Sequence, residues 1–276
     1  MSLQWYPGHM GKARRELAAL MPSQDVVIEV LDARLPAASS NPVITELRGD
    51  KPCIKVLSKS DLADPAVTRA WLRHLEAEPR VAAFAASTER PQLTRTRIAQ
   101  LCHGLARHRG PHKLVRALIA GVPNAGKSTL INTLMGRVVA KVGDKPAVTK
   151  RQQAVTLQSG MTLTDNPGLL WPKIEDEGAA LRLALAGAIP DTAIDYLTLA
   201  MFGARFLLER YPECLVARYK LAATPPTAEA LLTEIGRRRG GLGKGGTVEL
   251  HRAAEIFVRE FRAGAIGPIS LEAPPA

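Results

Sequence analysis

The sequence predicts an α/β protein: a doubly wound, mostly parallel sheet over residues 1–175, then a small all-helical domain over 176–276. Three observations predict it. Short apolar runs alternate with helix-like segments as far as residue 170. A glycine-rich loop joins one of those runs to a helix. Beyond Trp171-Pro172 the apolar residues recur at spacings of three and four, the period of a helix face.

Asp25–Leu31 (DVVIEVL), Pro52–Leu57 (PCIKVL) and Val81–Ala85 (VAAFA) read as buried strands. So do Lys113–Ala120 (KLVRALIA), Ala154–Gln158 and Met161–Thr164. Lys12–Leu20, Trp71–Glu78 and Lys127–Met135 read as helices, and the basic stretch Thr94–Lys113 as a helix and then a linker. In the second domain Leu197, Met201, Ala204, Leu208 and Tyr211 share one helix face. Leu250, Ala254, Phe257, Val258 and Phe261 share another, and Gly264 ends that helix. Between them Gly236–Gly246 (GRRRGGLGKGG) reads as a basic, glycine-rich loop.

A chain of 276 residues, 46% of them hydrophobic, can build a proper core as one large domain or two ordinary ones. No stretch is long and apolar enough to span a bilayer. The opening segment has neither the apolar middle of a signal peptide nor the composition of a transit sequence. Cys53, Cys102 and Cys214 are scattered, which suggests reduced thiols in a cytoplasm, with no disulfide framework and no zinc site. The net charge of +11 fits a polyanionic partner, and equally a solvated surface. Aromatics are 4% of residues, so contacts to RNA would run through Arg and Lys to phosphate rather than through base stacking.

Gly121-Val-Pro-Asn-Ala-Gly126-Lys127-Ser128 matches a phosphate-binding loop, with a strand running in and a helix running out. Backbone N–H groups from Asn124 to Thr129, including those of Ala125 and Gly126, would curl around phosphate oxygens. Lys127 would neutralise the outer phosphates, and the Ser128 hydroxyl would hold magnesium. A lysine at a helix N-terminus opposes the macrodipole unless an anion sits there, which favours this reading over a plain turn. Asp165-Asn-Pro-Gly168 follows a strand: Asp165 is placed to hold magnesium, and the Gly168 N–H to meet the terminal phosphate. Between the two lies Thr149, a candidate to cap the magnesium from a mobile loop.

Ser58-Lys59-Ser60-Asp61 ends a strand and resembles the N-K-x-D base reader of GTPases. There the Asp accepts two hydrogen bonds from guanine, a donor pair adenine lacks, and the Lys stem lies along the base. Ser58 stands where Asn is usual and reaches less far. Ala86 and Ser87, ending the next strand, resemble the short loop that meets the guanine carbonyl. An ordinary GTPase runs from phosphate loop to base reader; here the base reader comes first. A sheet fold tolerates such reordering when the original ends lie close together, and Thr94–Lys113 would be the new join.

With its motifs in this order, the chain resembles the circularly permuted P-loop GTPases, and among them the ribosome biogenesis GTPase A (YlqF-type) family. The resemblance covers nearly the whole chain. It is carried by Trp5-Tyr-Pro-Gly-His9-Met-Gly-Lys-Ala13, Asp32-Ala-Arg-Leu-Pro36, Asn41-Pro42, Asp165-Asn-Pro-Gly-Leu-Leu-Trp-Pro172, and a C-terminal Arg-Gly-Gly run before a helix ending Glu260-Phe-Arg262. It implies a GTP-hydrolysing assembly factor of the large ribosomal subunit, whose helical domain helps to grip rRNA.

Leu169 and Leu170 stand where many GTPases carry a water-orienting Gln, and neither can do that work. Local sequence reads His9 as a packed or solvent-facing side chain; the resemblance implies a part in hydrolysis. Asn124 suits a turn, and the resemblance equally implies a ligand for a potassium ion that neutralises charge as an arginine finger does. His103, His108 and His112 beside Cys102 fit no zinc pattern and read as a solvated linker. Two other classes fit less well. An RNA-binding scaffold with a weak or regulatory nucleotide site sits poorly with an intact Gly126-Lys127-Ser128 and Asp165. A P-loop ATPase or small-molecule kinase sits poorly with Asp61.

Overall fold

The computed structural model describes residues 8–106, 113–138, 153–166, 168–171, 174–243 and 246–275. In chain order, α1 (Gly8–Leu20) and a 3-10 turn (Met21–Ser23) lead into β1 (Val26–Asp32). Then come α2 (Pro36–Ser39), α3 (Pro42–Arg48), β2 (Cys53–Ser58), a second 3-10 turn (Ser60–Leu62), α4 (Pro65–Glu76) and β3 (Val81–Ala85). They are followed by α5 (Pro91–Leu105), β4 (Val115–Ala120), α6 (Lys127–Met135), β5 (Gln153–Leu157) and β6 (Met161–Asp165). The rest is helical: α7 (Glu177–Leu185), α8 (Tyr196–Arg210), α9 (Pro212–Tyr219), α10 (Ala228–Arg239) and α11 (Leu250–Arg262).

β1 is buried at every position and β2 likewise, as expected of central strands covered on both faces. The sheet order is β3-β2-β1-β4-β6-β5, parallel throughout except for β5, which runs antiparallel to β6 at one edge. The chain winds outward from β1 through β2 to β3, then returns to lay β4 on the other side of β1. Strand order therefore reverses between β1 and β4, and the crevice beyond their carboxyl ends is where an open α/β sheet holds a ligand. Leu31, Leu57 and Ala83 pack with Trp71 and Leu75 of α4; the main core joins the other buried strand residues to α1, α5 and α6.

That main core continues into the helices, where α8 packs against α7, α10 and α11. Ala253, Ala254, Phe257, Val258 and Phe261 make one buried stripe of α11. Burying each of the two phenylalanines is worth roughly 2–3 kcal/mol. Beyond α11 the chain turns back to the sheet. Ile269 N donates to Leu62 O at 2.9 Å, Leu271 N to Arg34 O at 2.7 Å, and Asp64 N to Ser270 Oγ at 3.2 Å. Trp71 Nε1 donates to Glu272 O at 3.1 Å, and Ala38 N to Glu272 Oε1 at 2.9 Å.

Several boundaries differ from expectation. α1 begins at Gly8, α4 at Pro65, where Asp64 caps the first turn through Ala66 N and Val67 N, and β4 starts only at Val115. The largest correction concerns Gly236–Gly246. Gly236 and Arg237–Arg239 are not loop but the last turn of α10, which ends on Gly240 at a positive φ of 84°. The residue there is glycine because Val248 and Ala253 crowd it, leaving no room for a side chain. Lys244 lies outside the described residues.

Candidate active site

The site is assembled at the carboxyl ends of β1, β2, β4 and β6. β4 delivers the phosphate loop, and α6 begins inside it with Gly126 at a φ of 98° as its cap. β2 ends on Ser58 and passes into Lys59, whose left-handed backbone (φ 54°) is uncommon for a residue other than glycine. Such a conformation persists where surrounding contacts over-determine it, and Lys59 has them. Its Nζ donates to Asn124 O at 2.7 Å and to Asp32 Oδ2 at 2.8 Å.

The structure thus brings the predicted base reader against the predicted phosphate loop, although 65 residues separate Lys59 from Asn124. Ser58 is buried, and its hydroxyl contacts the carbonyl of Leu31 at 2.9 Å and that of Ala125. The hydroxyl joins strand to loop rather than facing solvent. A side chain at Gly126 would meet Ser58 Cβ and Oγ at 3.3 Å, so close approach as well as φ requires glycine there. Ser60 binds the carbonyl of Ala86 through both its N–H (3.2 Å) and its hydroxyl (3.0 Å), which joins the two base-side loops. Ser87 Oγ accepts from Glu89 N at 3.1 Å and shapes the second of them. Asp61 lies in the 3-10 turn, exposed to solvent.

Lys127 is buried, and its ammonium donates to Gly121 O at 3.1 Å and Val122 O at 2.8 Å. Burial pulls its amine down to about 8, against the opposing pull of the Asp165 carboxylate. Ser128 and Thr129 follow in the first turn of α6. Asp165 ends β6, opposite Ile119 of β4, and is buried. Ser128 opens the helix side of the loop and Asp165 ends the neighbouring strand; a hydroxyl and a carboxylate are oxygen donors of the kind a hard cation such as magnesium takes. Gly168 is pressed onto the phosphate loop: an added Cβ would lie 2.8 Å from Pro123 Cα and 3.1 Å from Lys127 Nζ. Leu169 and Leu170 are buried, packed in the core.

Asn124, at a φ of 56°, sends Nδ2 to the carbonyl of Gly187 just past α7, at 2.7 Å. The phosphate loop is therefore in direct contact with the helical part of the chain. Thr149 lies outside the described residues. His9 is described only as backbone within α1. His103 Nε2 bonds Ser159 O at 2.7 Å, while His108 and His112 are outside the described residues; among those described, no three His, Cys, Asp or Glu side chains gather as ligands for a metal ion. No described helix is long and apolar enough to cross a membrane.

Three residues with a part in this geometry had no role assigned from sequence. Asp32 and Arg34 form a buried pair at the end of β1, and Asn41 reaches the loop after Gly168. Their signal was the Asp-Ala-Arg and Asn-Pro segments, legible as similarity but silent about partners.

The family model described as "50S ribosome-binding GTPase" matches residues 116–198. A relative named ribosome biogenesis GTPase A, from Bacillus licheniformis, is 42% identical over 281 residues, covering 99% of each chain. A GDP-bound YlqF structure aligns with a TM-score of 0.68 at 28% identity, over 94% of this chain and 99% of that one. The GNP-bound YlqF of Thermotoga maritima aligns with a TM-score of 0.66 at 29% identity, over 95% and 98%.

Proposed function

The chain belongs to the ribosome biogenesis GTPase A family, and from that premise we propose that it binds the immature large ribosomal subunit with GTP and leaves after hydrolysis. It is a GTPase of ribosome biogenesis. The observation that carries the finer reading is the joining of base reader to phosphate loop through Ser58 and Lys59. One ligand spanning both would hold the phosphate loop in register with the helical part of the chain, which Asn124 touches through Gly187. We place this work in the cytoplasm.

In this reading Asp61 selects guanine, and the loops of Ala86 and Ser87 close around the base. Lys127 meets the outer phosphates, and the backbone from Asn124 to Thr129 cradles them. Magnesium, held by Ser128 and Asp165 with Thr149 added in the triphosphate state, would supply charge neutralisation at the phosphates. The Gly168 N–H meets the terminal phosphate. With Asn124 Nδ2 committed to Gly187, the amide's oxygen edge is the one a potassium ion would meet. Leu169 and Leu170 leave the water-orienting task to another group, and His9 on α1 is our candidate.

The partner surface is placed on the helical domain. Arg237 and Arg238 are exposed at the end of α10, each paired with Glu234, and Arg239 sits 3.7 Å from Glu260. Phosphate would compete for these arginines. Sedimentation with large subunits purified from a depletion strain tests the reading. Binding should be stronger with a non-hydrolysable GTP analogue than with GDP and should weaken steeply with salt. Neutralising Arg237, Arg238, Arg239 and Lys244 together should lower both affinity and salt slope. Equal co-sedimentation with either nucleotide would refute the switch, and an unchanged quadruple variant would remove this surface from the interface.

A further inference from the structure

One buried carboxylate connects the base reader to the last turn of α11. Asp32, which closes β1 in register with Ser58, is 3% exposed and uses both oxygens. Oδ1 accepts from Arg34 Nε at 2.9 Å and Arg34 N at 3.1 Å. Oδ2 accepts from Arg34 Nη2 at 2.8 Å and from Lys59 Nζ at 2.8 Å. Burial alone would raise the Asp32 carboxyl; the two cations overturn that and hold it well below the usual carboxylate range.

Arg34 is held from its far side by the helical domain. Its remaining nitrogen, Nη1, donates to the carbonyl of Phe261 at 3.2 Å. The guanidinium lies over the Phe261 ring, 5.0 Å from the centroid. Its backbone carbonyl takes Leu271 N from the returning chain. A buried ion pair adds little net stability over well-packed apolar residues of the same volume. What this one supplies is direction: a planar fork sets the carboxylate plane, and the carboxylate sets where the Lys59 ammonium sits.

We propose that Arg34 is a positioning residue for guanine-nucleotide binding: through Asp32 it holds Lys59 in place, so that docking of α11 on Arg34 sets the affinity of the nucleotide site. The inference rests on Ser58–Asp61 being the base reader. It follows by linkage that whatever draws Phe261 away from Arg34 weakens nucleotide binding, and that bound nucleotide strengthens the docking of α11 by the same factor.

A double-mutant cycle on the full-length chain tests it, with GDP affinity read by calorimetry and folding by thermal unfolding. Arg34→Lys keeps the charge but loses the fork. It should weaken GDP binding about ten-fold, within the range of coupling measured between touching residues. In a Lys59→Ala background the same substitution should cost nothing further, because the group it positions is gone. Phe261→Leu, a milder change that leaves Arg34 and Asp32 intact, should repeat the pattern at several-fold and stands in if Arg34→Lys does not fold. Additive losses in the two backgrounds, or unchanged GDP affinity in folded Arg34→Lys and Phe261→Leu, overturn the proposal. Asp61→Ala separates the underlying reading: if that variant keeps full guanine preference, the base-reader assignment fails whatever the cycle shows.

Discussion

The side-chain amide of Asn41 donates to the main-chain carbonyl of Leu169 at 2.6 Å, across 128 residues of sequence. The same side chain caps α3 by accepting from Val43 N at 2.9 Å, while Asn41 N donates to Glu29 Oε1 at 3.0 Å. The start of α3 thereby anchors the residue after Gly168. Asn41→Ala orphans a buried carbonyl and removes a cap, at about 1–3 kcal/mol for the first and about 1 kcal/mol for the second. Chemical denaturation should show a loss of at least 1 kcal/mol by these estimates. A stability equal to wild type would mean that the loop finds other support.

Glu29 is buried in the middle of β1, and burial raises its carboxyl above the ordinary 4.5, against the lowering pull of the Asn41 N–H and Lys55. A raised acid binds its proton more tightly in the folded state. The stability it contributes is full below 4.5 and is lost as pH climbs through the folded value. Glu29→Gln, which still accepts from Asn41 N, should therefore melt above wild type at pH 8 in thermal scans. The gap should close on titration down to the ordinary value of 4.5. A gap that is constant across the range would show that charge at Glu29 is not its cause.

Asp61 is exposed at the turn that follows Lys59, and in the proposed reading it accepts from guanine. Wild type should bind GTP and GDP in preference to ATP, and Asp61→Ala should lose at least roughly 100-fold in GDP affinity, as the loss of two charged hydrogen bonds worth about 1.5–3 kcal/mol each implies. ATP affinity should be little changed. Equal ATP and GTP affinities in wild type, by calorimetry, would defeat the assignment.

Asn124 is held by Gly187 with its amide turned to a fixed edge. GTP hydrolysis should run faster in potassium than in sodium at equal ionic strength. Asn124→Ala should abolish the difference, while retaining hydrolysis at the sodium rate. Identical wild-type rates in the two salts would leave Asn124 as a contact to the helical domain only.

Local pattern is what the order of residues records. A phosphate loop is a short run of backbone in which glycine, lysine and serine must fall at set spacings, so Gly126, Lys127 and Ser128 were legible from their order alone. The same holds for the strand-ending Ser58–Asp61 and for the apolar stripe of α11, whose period names its buried face. Neighbouring glycines make Arg237–Arg239 look like loop locally; Val248, just ahead of α11, and Ala253 within it make Gly236 a packing residue within a helix. What holds the motifs in position is visible only in three dimensions. Sequence order places Ser58 at the base reader, and only the fold shows its hydroxyl against the carbonyls of Leu31 and Ala125. Asn124 finds Gly187 across 63 residues, and Arg34 finds Phe261 across 227. No periodicity or spacing records such pairs, because a hydrogen bond depends on distance in space, and the order of elements in a wound sheet places distant parts of the chain at one strand end.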